Sequence, residues 1–166
     1  MPAVRYVLIF IGGIFLSLML LSCGSKGTDS DGTVTKISVE INSSAIDINY
    51  AIANLLAEED LLFIIAAKNS VGEFPSVMIR FPDASNRHTG VSEECEFDLI
   101  VDLTESYLAG SLAENELAIA NVEFSRLELH DGGHISGTIS GFVERENHPE
   151  VGLLPLEVTF SNVPIE

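Results

Sequence analysis

The amino-acid sequence predicts an all-β domain, an antiparallel β-sandwich. Three observations carry this. Short runs alternate apolar and polar residues with a period of two, which puts one face of a strand in a core and the other in water. Clusters of Gly, Pro, Asn, Asp and Ser break those runs at close intervals. Long helical periods are few, and no segment repeats at a period of roughly 20–50 residues.

Taken in order, Ile37, Val39 and Ile41 alternate with Ser38, Glu40 and Asn42 as a first strand. Residues 45–67 read two ways. As a helix, Ser44 caps and the Ala/Leu/Glu content suits it. As a hairpin, Ile48–Leu56 pairs with Leu61–Ala67 around a Glu58-Glu59-Asp60 turn, and the second run is apolar on both faces as a covered strand would be. The hairpin is the favoured reading. Ser76–Phe81 follows and Pro82 stops it; residues 83–92 are a polar loop. Cys95–Leu103 alternates, with Cys95, Phe97, Leu99, Val101 and Leu103 on the core side. Tyr107–Ala113 is a weaker strand. In Leu117–Leu129 the apolar phase slips by one residue near Ser125, the mark of a bulge. His134–Val143 and Leu156–Phe160 complete the set, giving an immunoglobulin-like or jelly-roll-like sandwich over residues 34–166.

The first 22 residues belong to something else. Arg5 is followed by fifteen uncharged residues, Val7–Leu21, which as a helix would reach only about 22 Å. A hydrocarbon core of about 30 Å needs more. A basic start, a short apolar run and small residues after it read as a cleaved signal helix rather than an uncleaved anchor. Leu20-Leu21-Ser22-Cys23 closes that run and resembles the lipobox of bacterial lipoproteins. The resemblance implies a diacylglyceryl thioether on Cys23, cleavage before it and acylation, palmitate included, of the new amine. It implies a cell-envelope address, held to a membrane by that lipid. Gly24, rather than an acid, leans the address to an outer membrane where a cell has one. Residues 23–33 (CGSKGTDSDGT) form a flexible tether of up to about 36 Å.

A second resemblance lies in the last third. Gly133-His134-Ile135-Ser136-Gly137-Thr138-Ile139-Ser140-Gly141-Phe142, with Asn162-Val163-Pro164 near the end, is similar to the closing hairpin of small β-sandwich envelope lipoproteins. That likeness implies a fold and no activity. Gly137 and Gly141 share the face of Ile135 and Ile139 and would permit a bend or a close approach of the opposite sheet.

Charge narrows the partners. The mature chain would carry 25 acidic residues and, without Arg5, seven of the eight basic ones. Such a balance disfavours nucleic acid and anionic headgroups. With Cys23 lipidated only Cys95 remains, so no internal disulfide forms, and its core position makes it an inert thiol. Neither Glu58-Glu59-Asp60 nor Glu93-Glu94-Cys95-Glu96 has the ordered oxygen spacing of a calcium loop.

One cluster suggests chemistry. A three-residue loop Asp131-Gly132-Gly133 would set His130 opposite His134 on the outer face, with Glu128 beside them, as weak candidate metal ligands. A glycine-rich polar hairpin is the favoured reading, because no third strong ligand is fixed. Asp98 and Asp102, as acid and base, are better read as solvated face residues. No nucleophile elbow, P-loop, HExxH or dinucleotide fingerprint occurs. The expectation is a non-enzymatic binding or structural module with no cofactor, acting on an unknown envelope protein or ligand. The alternatives are a metal-dependent hydrolase at the His130/His134 rim and a carrier of an apolar ligand. Lack of Trp and only three Tyr weaken a carbohydrate-binding version.

Overall fold

The computed structural model describes residues 35–166. The signal segment, the tether and Cys23 lie outside the described residues. Thr33–Glu166 form one compact unit, whose strands are β1 Lys36–Ile41, β2 Ser44–Ile46, β3 Tyr50–Leu56, β4 Leu61–Ala67, β5 Ser76–Pro82, β6 Ser92–Asp102, β7 Glu105–Ala109, β8 Ala120–Leu127, β9 His134–Arg145 and β10 Leu153–Pro164. The fold is all-β, as its sequence pattern predicts, and only short 3-10 turns interrupt it.

Hydrogen bonding links all ten strands into one sheet in which every paired neighbour is antiparallel. From β3 the path runs through β4, β5 and β6. There β8 pairs with Ser92–Cys95 of β6 while β7 pairs with Phe97–Asp102. Both then pair with β9, and the path continues to β10, β1 and β2. One end of this path, β3, meets the chain beyond β10 rather than β2 at the other end. β1 pairs with β10 only as far as Ser161, so the last turn of chain projects beyond it and Ile165 bridges to Ala53 of β3. The Glu166 N–H donates to the Ala53 carbonyl at 3.0 Å. The sheet thus curls around one core, with β3 touching the end of the chain at Ala53 and β2 left as the other edge.

The hairpin reading of 45–67 holds: β3 and β4 pair in register from Tyr50–Ala67 to Leu56–Leu61. Asp60 takes a left-handed conformation that reverses the chain after the Ala57–Glu59 turn. The bulge expected near Ser125 is present, between Phe124 and Arg126. Other details differ. Leu103 is 89% exposed, because β6 ends at Asp102 and Leu103 sits at the turn into β7. Residue 92 belongs to β6 rather than to the preceding loop, since Ser92 finds a partner in Glu123. β7 ends at Ala109, where Gly110 begins a 3-10 turn.

Inward side chains fill the interior. Phe81, Phe97, Phe124 and Phe160 are fully buried, and Phe124 meets Phe81 and Phe160 edge-on at 5.1 and 6.0 Å between centroids, an arrangement that adds to area burial. The buried residues are almost wholly apolar among the described residues; the exception at atom level is Arg145 Nε, which is buried without a hydrogen-bond partner. Arg87 closes one end, its guanidinium 5.8 Å from the Phe81 ring and bonded to the Pro82 and Glu94 carbonyls.

Gly137 and Gly141 do permit close approach, but of the neighbouring strand. A Cβ at Gly141 would stand 2.0 Å from the Ile119 carbonyl oxygen, and one at Gly137 2.5 Å from that of Glu123. Both contacts are backbone, so β8 could not lie so tightly against β9 with any side chain there. Gly141→Ala should therefore cost about 2 kcal/mol of stability, read as a lower urea midpoint with unchanged slope.

Candidate functional site

β9 is flanked by two irregularities at one level. The β8 bulge lies at Ser125, and β10 shifts register between Phe160 and Val163. Each breaks the ladder beside Ser136–Gly137, and bulges of this kind re-aim side chains and often border sites. Between them runs an outer groove of about 450 Å³ lined by Glu123, Ser125, Ser136, Thr138, Thr159 and Ser161, with Gly137 and Phe160 at its floor. A second cleft of about 380 Å³ continues from Thr159 and Ser161 to Ser38, Lys36 and Asn49.

Register explains why hydroxyls gather here. Ser38, Thr159, Thr138, Glu123 and Ser92 stand side by side across β1, β10, β9, β8 and β6. Strand spacing puts neighbours in that row about 4.8 Å apart. All five are exposed. The next row reads Glu40, Glu157, Ser140, Asn121 and Glu94. The result is an outer surface of short donors and acceptors, indented at the bulges.

A polar network fixes the indentation. Asn162 holds a positive φ of 50°, a conformation asparagine tolerates better than most residues. Its N–H donates to Ser136 Oγ at 2.9 Å, and its Oδ1 accepts from Arg126 at 3.0 Å. Arg126 also grips Glu128 with two parallel bonds of 3.0 Å. Those bonds, then the His134 N–H, hold the Glu128 carboxyl below its ordinary range.

The expected His130–His134 pair is not formed. Arg126 pairs with Ser136 and Leu127 with Ile135, so His134 stands across from Glu128. The reason is the link between the strands. After Leu127 the chain makes two successive turns, with His130 N–H on the Glu128 carbonyl and Gly133 N–H on that of His130, both at 2.9 Å. This five-residue link, 129–133, replaces the three-residue loop. His130 stays exposed, its Nδ1 3.0 Å from the Asp131 carbonyl, while Glu128 is engaged by Arg126. Among the described residues no three His, Cys, Asp or Glu side chains gather closely enough to hold a metal ion. His148 meets Glu150 at 2.9 Å, away from this hairpin.

The acids elsewhere are held structurally. Glu105 pairs with Arg145 and Glu96 with Arg80, and Glu144 accepts from the Glu114 and Asn115 amides. Asp98 and Asp102 share the outer face but differ. Asp102 caps the Thr104 turn, whose hydroxyl and N–H lower its acidity range. Burial pushes Asp98 up, with Arg80 opposing and Glu146 adding to the shift. The folded chain therefore binds the Asp98 proton more tightly than the unfolded chain does. Its contribution to stability weakens as pH climbs from the unfolded value, about 3.9, through the folded one. Asp98→Asn should raise the melting temperature near neutral pH, and that gain should vanish at about pH 3, where both states are protonated. Burial also drives the Cys95 thiol up to about 12, so a thiol reagent should label Cys95 only after unfolding.

Sequence reasoning missed Arg126, Asn162 and Ser136 as a unit. Its one available signal was the phase slip at Ser125. Comparison with known proteins adds no identity: no protein family, no curated protein and no solved structure matches the chain.

Proposed function

We propose that this chain is a lipid-anchored lipoprotein of a bacterial cell envelope whose β domain is a non-enzymatic binding module. The groove between the two bulges of β8 and β10 is its ligand face. One observation carries the binding reading: five exposed residues in register, Ser38, Thr159, Thr138, Glu123 and Ser92, present hydroxyls and a carboxylate on one rigid, indented surface. A partner rich in hydrogen-bond groups fits such a face, because strands hold its donors and acceptors at fixed spacing. Glu128 beside it serves as a structural acceptor for Arg126 and the His134 N–H, and among the described residues no histidine or second carboxylate is paired with the groove's Glu123, which favours binding over acid–base chemistry. The interior, where an apolar cargo would lie, is filled by the buried phenylalanines.

The anchor reading rests on Leu20-Leu21-Ser22-Cys23 after the short apolar run. Two or more acyl chains hold a protein on a membrane where one chain does so only marginally. The address is the envelope, the outer membrane in a cell that has two.

Cys23→Ser should abolish incorporation of a labelled fatty acid and leave an uncut precursor; label retained by the variant would contradict the anchor. For the groove, Thr138→Arg fills the indentation without touching the core. Envelope fractions passed over the immobilised domain should lose their specific bound species with that variant, while an equally exposed change at Ser70 leaves it. Retention by Thr138→Arg would move the ligand face elsewhere.

A further inference from the structure

Acids and bases are matched over much of this domain. Arg80 pairs with Glu96, Arg87 with Glu93, Arg126 with Glu128, Arg145 with Glu105 and Lys68 with Asp47. On the outer face of β1, β10, β9 and β8 the carboxylates have no such counterpart. Glu40 stands directly across from Glu157, and Glu123 lies in the next row beside Thr138. Among the described residues no side-chain hydrogen bond or ion pair holds any of these three. Like charges opposite each other on neighbouring strands destabilise a sheet. The fold nevertheless keeps Glu40 beside Glu157.

Glu123 differs from the other two in its setting. It is the charged side chain in the lining of the groove, and Ser125, Ser136, Thr138, Thr159 and Ser161 surround it above Gly137 and Phe160. The bases to either side leave it uncompensated. Arg126 turns its guanidinium to Glu128 and Asn162. Lys36 lines the adjoining cleft, three strands from β8, which is about 14 Å along the sheet.

We infer that the groove takes a basic, extended peptide segment of a partner protein, with a lysine ammonium on Glu123 and the peptide amides on the surrounding hydroxyls. This deepens the binding reading above and rests on it. Charge complementarity selects a cation, since Glu157 and Glu40 in the next row add their field to that of Glu123. A metal ion would need several acids together, and among the described residues none gather so closely. A single carboxylate ringed by hydroxyls suits an ammonium, whose three N–H groups all find acceptors. Serine and threonine hydroxyls also donate. A peptide backbone uses both roles, whereas a bare polyamine offers donors alone. The two clefts share Thr159 and Ser161 and together cross β8, β9, β10 and β1, room for about four or five residues of extended chain.

The probe is a capped, fluorescein-labelled hexapeptide of alternating serine and lysine, with glutamine replacing lysine in its neutral counterpart. Anisotropy follows its titration with the full chain in a neutral detergent at about 150 mM salt, where distant acids are screened. The lysine peptide should bind about tenfold tighter than the glutamine one, and Glu123→Gln should remove about fivefold of that. Glu58→Gln, the same loss of charge on the β3–β4 turn outside both clefts, should leave binding unchanged. Glu157→Gln, which relieves the like charge beside Glu40, is a second reporter should Glu123→Gln alter the melting curve. Equal losses from Glu123→Gln and Glu58→Gln, or a lysine peptide no tighter than its neutral counterpart, overturn the inference. So does spermidine displacing the peptide at equal concentration, which would mean a bare cation is enough. An envelope species lost with Thr138→Arg but kept by Glu123→Gln would remove the basic peptide and leave the ligand face in place.

Discussion

The arrangement of this domain depends on how β3, one edge of its sheet, is joined to the chain beyond β10. Ile165 is the join. Its N–H donates to the Gly133 carbonyl at 2.8 Å and its carbonyl accepts from Gly132 at 3.0 Å, while the Glu166 N–H reaches Ala53 on β3. The side chain is 2% exposed and packs into the core. These contacts cover the middle of the outer edge of β3, at Ala53, where exposed backbone groups beside an apolar face would be a template for aggregation. With them, the β8–β9 hairpin, β10 and β3 hold one another.

Closure also explains the division of labour around the molecule. A sheet that returns on itself has one inside and a continuous outside, so chemistry can differ only around its circumference. Here β1, β10, β9 and β8 carry Ser, Thr and Glu outward, while β3, β4 and β5 carry apolar groups and Arg80. Bulges in β8 and β10 indent the first side. The second side stays regular, with unbroken register from β3 to β5. Rigid strands make both surfaces fixed platforms.

Much of the fold was legible because period-two alternation reports which face is buried. It located nine of the ten strands, the β3–β4 hairpin and the bulge at Ser125. β2 was not legible: Ser44, Ala45 and Ile46 form too short a run to show a period, and they pair only with β1. The start of β6 was hidden because Ser92, Glu93 and Glu94 are polar, yet find partners in β8. Parity constrains a hairpin without fixing its length, which is why His130 was set against His134 when Glu128 takes that place. The groove was legible only at its bulge. Outward Ser and Thr resemble any solvated face until register lines them up across five strands.

Amide hydrogen exchange followed by NMR tests the closure most directly. A joined sheet predicts that the Ile165 and Gly132 amides exchange as slowly as central amides of β9, since opening them would require the core to open. Exchange at the rate of a fraying terminus, with β9 still protected, would show an open sheet and leave the opposed faces without their frame.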